Sequence, residues 1–94
     1  MAPLHLKFVV NAFKHGVTRS EIWEVFLNRD IPCVIVKYRT TGRGKIYNAL
    51  GVTDGGRYLV VGFVKETQFV YRVIHGMDMK ENEKKRFKQL RKIK

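Results

Sequence analysis

Cysteine is nearly absent from this chain: Cys33 is the only one among 94 residues, which excludes an internal disulfide and a zinc site built on a cysteine pair. A reducing compartment is the matching expectation. Long apolar runs are missing too. Nothing approaches the ~20 residues that a membrane-spanning helix needs, and Pro3, His5 and Lys7 interrupt the start of the chain where a signal peptide would carry its apolar core. A soluble, cytoplasmic protein with no membrane contact is expected. Repeats and low-complexity segments are absent. No Ser-His-Asp, Cys-His or metal-ligand constellation stands out, so neither a metal nor another cofactor is expected.

Acidic residues are the other shortage, eight against nineteen Lys and Arg. The resulting formal charge of +11 and a pI near 10.2 put a positive potential over a small body. Phosphate-rich partners are the first expectation, although an acidic protein or an anionic membrane would satisfy the same sign. A hydrophobic content of 45% argues against a disordered basic tail, and residues 1–94 read as one α+β domain with one modest core.

The stretch Arg57 to Val64 organises the rest. Tyr58, Val60 and Val64 alternate with Leu59, Val61 and Phe63, so both faces are apolar and a central strand is predicted. Lys45 to Thr53 runs into it through Asp54-Gly55-Gly56, and Thr67 to His75 leaves it through Lys65-Glu66, giving three antiparallel strands. Ahead of this block, Leu4 to Val10 reads as a short strand at a sheet edge, with Leu6, Phe8 and Val10 on one face. Asn11 to Gly16 reads as one helical turn closed by Gly16. Thr18 and Glu21 form a capping box for a helix over Arg19 to Asn28, whose apolar stripe is Ile22, Val25 and Phe26. Cys33 to Arg39 is a further strand, joined to the next by the polar, doubly basic loop Thr40 to Lys45. A second capping box, Asp78 with Glu81, opens a C-terminal helix with the narrow apolar stripe Phe87, Leu90 and Ile93. Residues 80–94 hold six of the eleven net charges; a solvated basic helix and a nucleic-acid contact through Lys84, Lys85 and Lys88 explain that equally well.

The segments Lys14-His15-Gly16-Val17, Ala49 to Val61 and Tyr71-Arg72-Val73-Ile74-His75, followed by an Asp-capped basic helix, resemble the BrnT toxins of bacterial and archaeal toxin-antitoxin systems over nearly the whole chain. The resemblance implies a RelE-like fold, an antiparallel sheet of four or five strands with N-terminal helices and a basic C-terminal helix. It also implies metal-independent RNA cleavage and a ribbon-helix-helix antitoxin of the BrnA type, with operator DNA reached only through that antitoxin. One departure stands out. Where many members carry Ser-Ala-Arg or His-Ala-Arg after the last strand, this chain has His75-Gly76-Met77, and Met77 cannot supply the charge an arginine would give a scissile phosphate. A non-catalytic nucleic-acid-binding module of the same fold is therefore the alternative. A third reading has the surface charge dock an acidic antitoxin segment.

Metal-free RNA cleavage needs a proton acceptor for the 2′-hydroxyl, a proton for the leaving 5′-oxygen and cations on the phosphoryl oxygens. His75 is the titrating candidate, because imidazole exchanges protons near neutral pH. Arg72 and Lys45 are catalytic candidates as phosphate holders, and Arg43, Lys14 and His15 are RNA-binding candidates. Bland readings stand beside these. His75 could simply close a strand, and Lys14 and His15 could serve packing beside Gly16. Arg72 could pair with Glu21 or Glu24, and strict alternation sets it on the face opposite His75 unless a bulge intervenes. Tyr38 and Tyr47 could stack on bases or pack across strands.

Overall fold

The computed structural model describes residues 4–42 and 44–92. A five-stranded sheet carries a helix on each face. In chain order the elements are β1 (His5–Phe8), a 3-10 turn (Val10–Phe13), α1 (Arg19–Leu27), β2 (Val34–Thr41), β3 (Gly44–Val52), β4 (Tyr58–Lys65), β5 (Val70–Asp78) and α2 (Glu81–Lys92). The sheet order is β1-β5-β4-β3-β2, so the doubly apolar strand is the central one, as its composition requires. β2 to β5 are antiparallel neighbours, but β1 pairs with β5 in parallel, His5 opposite Val70 and Phe8 opposite Val73. The expected antiparallel sheet is thus a mixed one. A strand that returns to the far edge beside the last strand is free to run either way, and no hairpin sets its direction.

Alternation on β4 sorts the core into two layers. Leu59, Val61 and Phe63 join Leu6, Ala12, Val17, Ile22, Val25, Ala49 and Val73 beneath α1. Val60 joins Leu50, Val52, Met79 and Phe87 beneath α2. α1 begins at the expected capping box: the Glu21 N–H donates to Thr18 Oγ1 at 3.2 Å, and the Thr18 N–H donates to Glu21 Oε1 at 3.0 Å. The helix crosses β3 at Gly51, where a Cβ would lie 2.7 Å from Val25 Cγ1 and 3.2 Å from Cys33 Cβ. Glycine there is a close-approach residue, not a turn residue.

Several expected boundaries move for local reasons. Val10 is 93% exposed because the chain leaves β1 after Phe8 and enters the 3-10 turn; among the N-terminal elements there is one α-helix, not several. β5 starts at Val70 instead of Thr67, since the Glu66 and Thr67 N–H groups both donate to Val70 O (2.8 and 3.2 Å) and Thr67 Oγ1 accepts from the Phe69 N–H. The second capping box does not form as expected. Asp78 is the last residue of β5 and its carboxylate is taken by Arg57, while Glu83 accepts from the Lys80 N–H at 2.8 Å, two residues further on.

Arg57 ties three segments together. Its Nε and Nη2 donate to Asp78 (2.7 and 3.0 Å), and Nη1 donates to both Glu21 oxygens at 3.1 Å and, at 3.4 Å, to Gly16 O. Asp78 is held below the usual carboxylate range chiefly by the Arg57 hydrogen bonds, and Glu21 by the Thr18 backbone N–H and then Arg57; the Arg57 pKa rises in return. Carboxyls depressed in the folded state stabilise it above their unfolded pKa of about 4 and lose that contribution as pH falls through the folded value. Arg57→Ala is expected to lower stability at pH 7 by about 1 kcal/mol, solvent limiting the effect. The variant should also show a shallower loss of stability as pH falls below about 4. Urea unfolding of both proteins across that range checks the slope.

Candidate functional site

The face beneath α2 holds the candidate site, and a bulge in β5 creates it. Gly62 pairs with His75 but Phe63 pairs with Val73, so Ile74 is an extra residue and the phase of β5 reverses there. Val64 faces Arg72 in the register, and Val60 faces Met77. His75 therefore shares a face with Arg72, Met77, Val60 and Gly62, which strict alternation had denied it. Across the sheet the same rung continues from Gly62 to Asn48 and Val36.

Gly62 makes the arrangement possible. A Cβ at that position would overlap His75 Nε2 and lie 2.8 Å from Cδ2, so the imidazole occupies the space a side chain would fill. A cleft of about 280 Å³ opens beside the ring, lined by Tyr38, Asn48, Val60, His75, Met77, Lys80 and Glu83. Tyr38 is itself the extra residue of a second bulge, between Lys37 and Arg39 in β2, and is exposed. Two polar atoms of the cleft residues, His75 Nδ1 and Asn48 Oδ1, are buried without a hydrogen-bond partner among the described residues. Burial and then the positive charges of His15, Lys14 and Arg39 push the His75 pKa below its ordinary 6.5. At neutral pH the ring is uncharged and has a lone pair to offer.

The other sequence candidates scatter. Arg72 is on the right face but is engaged, its Nη1 3.3 Å from Glu66, which also holds Lys7 at 2.9 Å. The carboxylates suggested for it are used elsewhere: Glu21 by Arg57, and Glu24 by the Asp54 N–H. Lys45 alternates with Ile46 and so falls on the face of Tyr47 and Ala49, away from His75. Lys14 and His15 are exposed just beyond the 3-10 turn and act on His75 through charge. Arg43 lies outside the described residues. On α2, Lys84 and Lys88 place their ammonium groups 5.8 and 5.7 Å from the centre of the Tyr58 ring, and Lys85 is exposed. Tyr47 stacks on Phe63 with centroids 5.8 Å apart and belongs to the core.

Asn48 and Lys80 are the site residues that sequence reasoning passed over, while Tyr38, weighed as a stacking or packing aromatic, lines the cleft. A signal existed only for the bulge, since a glycine inside an otherwise bulky central strand marks a bulge or a close approach. Among the described residues no three His, Cys, Asp or Glu stand together as a metal-holding group, and no helix is long and apolar enough to cross a membrane. Compared with known proteins, the chain matches no family model and no curated protein.

Proposed function

We propose that this protein is a toxin of the BrnT type, a metal-independent endoribonuclease that inhibits translation and is neutralised by a ribbon-helix-helix antitoxin. The observation behind this reading is the β5 bulge, which sets a neutral imidazole in a cleft on a strongly basic domain. His75 takes the 2′-hydroxyl proton as that oxygen attacks the adjacent phosphorus; the bond to the 5′-oxygen breaks, and the leaving oxygen is protonated from solvent. Lys80, at the rim of the cleft, meets the phosphoryl oxygens with a point charge. Lys84, Lys85 and Lys88 extend the basic track along α2. The α+β architecture is compatible with a RelE-like fold. The antitoxin reaches operator DNA for the pair, and the site of action is the cytoplasm.

Two residues favour the alternative of a non-catalytic RNA-binding module. Met77 lines the cleft where the resemblance places an arginine, and Arg72 is committed to Glu66. End-labelled RNA incubated with the protein in excess EDTA separates the readings. Cleavage is expected to leave 2′,3′-cyclic phosphate ends, to fall about 10²–10⁴-fold in His75→Ala, and to level off with rising pH below 6.5, because the depressed pKa leaves the base free at lower pH. Intact RNA with salt-sensitive binding would establish the binding module.

A further inference from the structure

Lys45 and Tyr47, which fall on the α1 face and away from His75, belong to a second basic and aromatic cluster. Strand pairing assembles it: Lys37 is opposite Tyr47, and the β3–β4 register, Ile46 opposite Val64, carries one step further to set Lys45 beside Lys65. Lys45 and Lys65 alternate in phase with Tyr47 and Phe63, which pack beneath α1. All three lysines are exposed, and none has a carboxylate partner among the described residues. Glu66, the acid next in sequence to Lys65, is taken by Lys7 and Arg72. Three positive charges thus stand together with nothing on the protein to offset them, an arrangement that favours a polyanion.

The rings decide which polyanion. Tyr71, Phe63 and Tyr47 form a pile across three neighbouring strands, with centroids 4.5 and 5.8 Å apart and planes inclined by 19° and 25°. Phe63 is fully buried in the middle, and the two tyrosines are half-buried ends. Beyond Tyr71 lies β1, with Leu6 as its register partner. Beyond Tyr47 there is only the edge strand β2, where Ile35 is 45% exposed. A flat group laid over β2 extends the pile by one ring, whereas an acidic peptide would meet the lysines and leave that ring bare. We infer that the α1 face is a second RNA contact, in which a base stacks on Tyr47 while Lys37, Lys45 and Lys65 hold the flanking phosphates.

The inference rests on the RNA reading above and adds a substrate class to it, unpaired RNA long enough to turn around β2. Tyr38 lines the His75 cleft on the opposite face, and the Arg39 guanidinium lies 5.4 Å from the centre of its ring. Both residues are exposed on the edge strand. A single strand leaving the cleft therefore passes from one basic and aromatic group to the next, its bases free to stack.

The test is anisotropy binding of a labelled, unstructured RNA dodecamer to the full chain across a range of salt, with 2′-O-methyl sugars to block cleavage. Replacing Lys37, Lys45 and Lys65 together by alanine is expected to make the slope of log affinity against log salt shallower by about 2, at about 0.7 per phosphate contact. Tyr47→Leu should weaken binding about tenfold with the slope unchanged, since stacking carries no net charge, and Tyr47→Phe should bind as wild type. A base-free strand of the same length should bind wild type about tenfold more weakly than the dodecamer and should not distinguish wild type from Tyr47→Leu. The lysines are exposed, so the triple variant is expected to fold, and the comparison of the two strands needs no variant at all. An unchanged slope in the triple variant, a Tyr47→Leu protein that binds as wild type, or equal wild-type affinity for the two strands would overturn the second contact while leaving RNA binding intact. Tighter binding of polyglutamate than of the dodecamer would overturn it in favour of an acidic protein partner. Failure of wild type to bind the dodecamer would overturn both the contact and the RNA reading.

Discussion

Gly62→Ala is expected to silence the site while the fold stands. The added methyl falls where the His75 imidazole lies, and the obstructing atoms Nε2, Cε1 and Cδ2 are the far end of a rotatable side chain, not backbone. The ring gives way instead of the strand. Overpacking normally costs about 1–3 kcal/mol, but swinging the ring outward relieves most of it. Replacing glycine within a strand also restores about 0.5–1 kcal/mol of backbone preference, so the unfolding midpoint should move little. His75 then loses its burial, the largest cause of its lowered pKa, and the value should rise towards 6.5. RNA cleavage should fall as far as in His75→Ala although the histidine is still present. Proton NMR titration of the His75 ring in both proteins supplies a readout independent of activity. An unmoved pKa would mean that the ring does not depend on the open space above Gly62.

The same glycine shows what was legible in the sequence. Central β4, its two neighbours, the α1 capping box and the two faces of Tyr58 to Val64 follow from periodicity and turn chemistry, and each is present. The parallel β1–β5 pairing does not follow, because edge placement depends on which half-covered strand finds which partner after collapse. The site was hidden for a sharper reason. Sequence alternation is blind to one inserted residue, and one inserted residue, Ile74, moves His75 from the α1 face to the α2 face. Lys45 stands apart from His75 for the converse reason, since β3 pairs with β4 without interruption from Ile46 onward and alternation leaves Lys45 on the α1 face. Asn48 reads in the chain as an ordinary strand residue; only its position across Gly62 from His75 brings it into the cleft.

Phe87→Ala should free α2 without unfolding the sheet. Phe87 is 1% exposed, packs with Leu50, Val52, Val60 and Met79, and meets Tyr58 edge-on at 6.1 Å. Around it the helix is mostly Lys, Arg and Glu, and Leu90 is only half-buried. Truncating a buried phenylalanine costs about 3–5 kcal/mol, against a total of about 5–14 kcal/mol for a chain of this length. A helix of about twelve residues has too little stability of its own to persist once its anchor is gone. The α1 layer shares no buried residue with this cluster and keeps β4 in place. Hydrogen exchange should therefore show α2 amides losing protection while the Leu59, Val61 and Phe63 amides keep most of theirs. Lys80 and Glu83 leave the cleft wall with the helix, and Lys84 and Lys88 leave Tyr58. If α2 presents its charges to RNA as an ordered face, the slope of log affinity against log salt becomes shallower in Phe87→Ala. An unchanged slope would assign the phosphate contacts to the sheet and to Lys14 and His15 beside it.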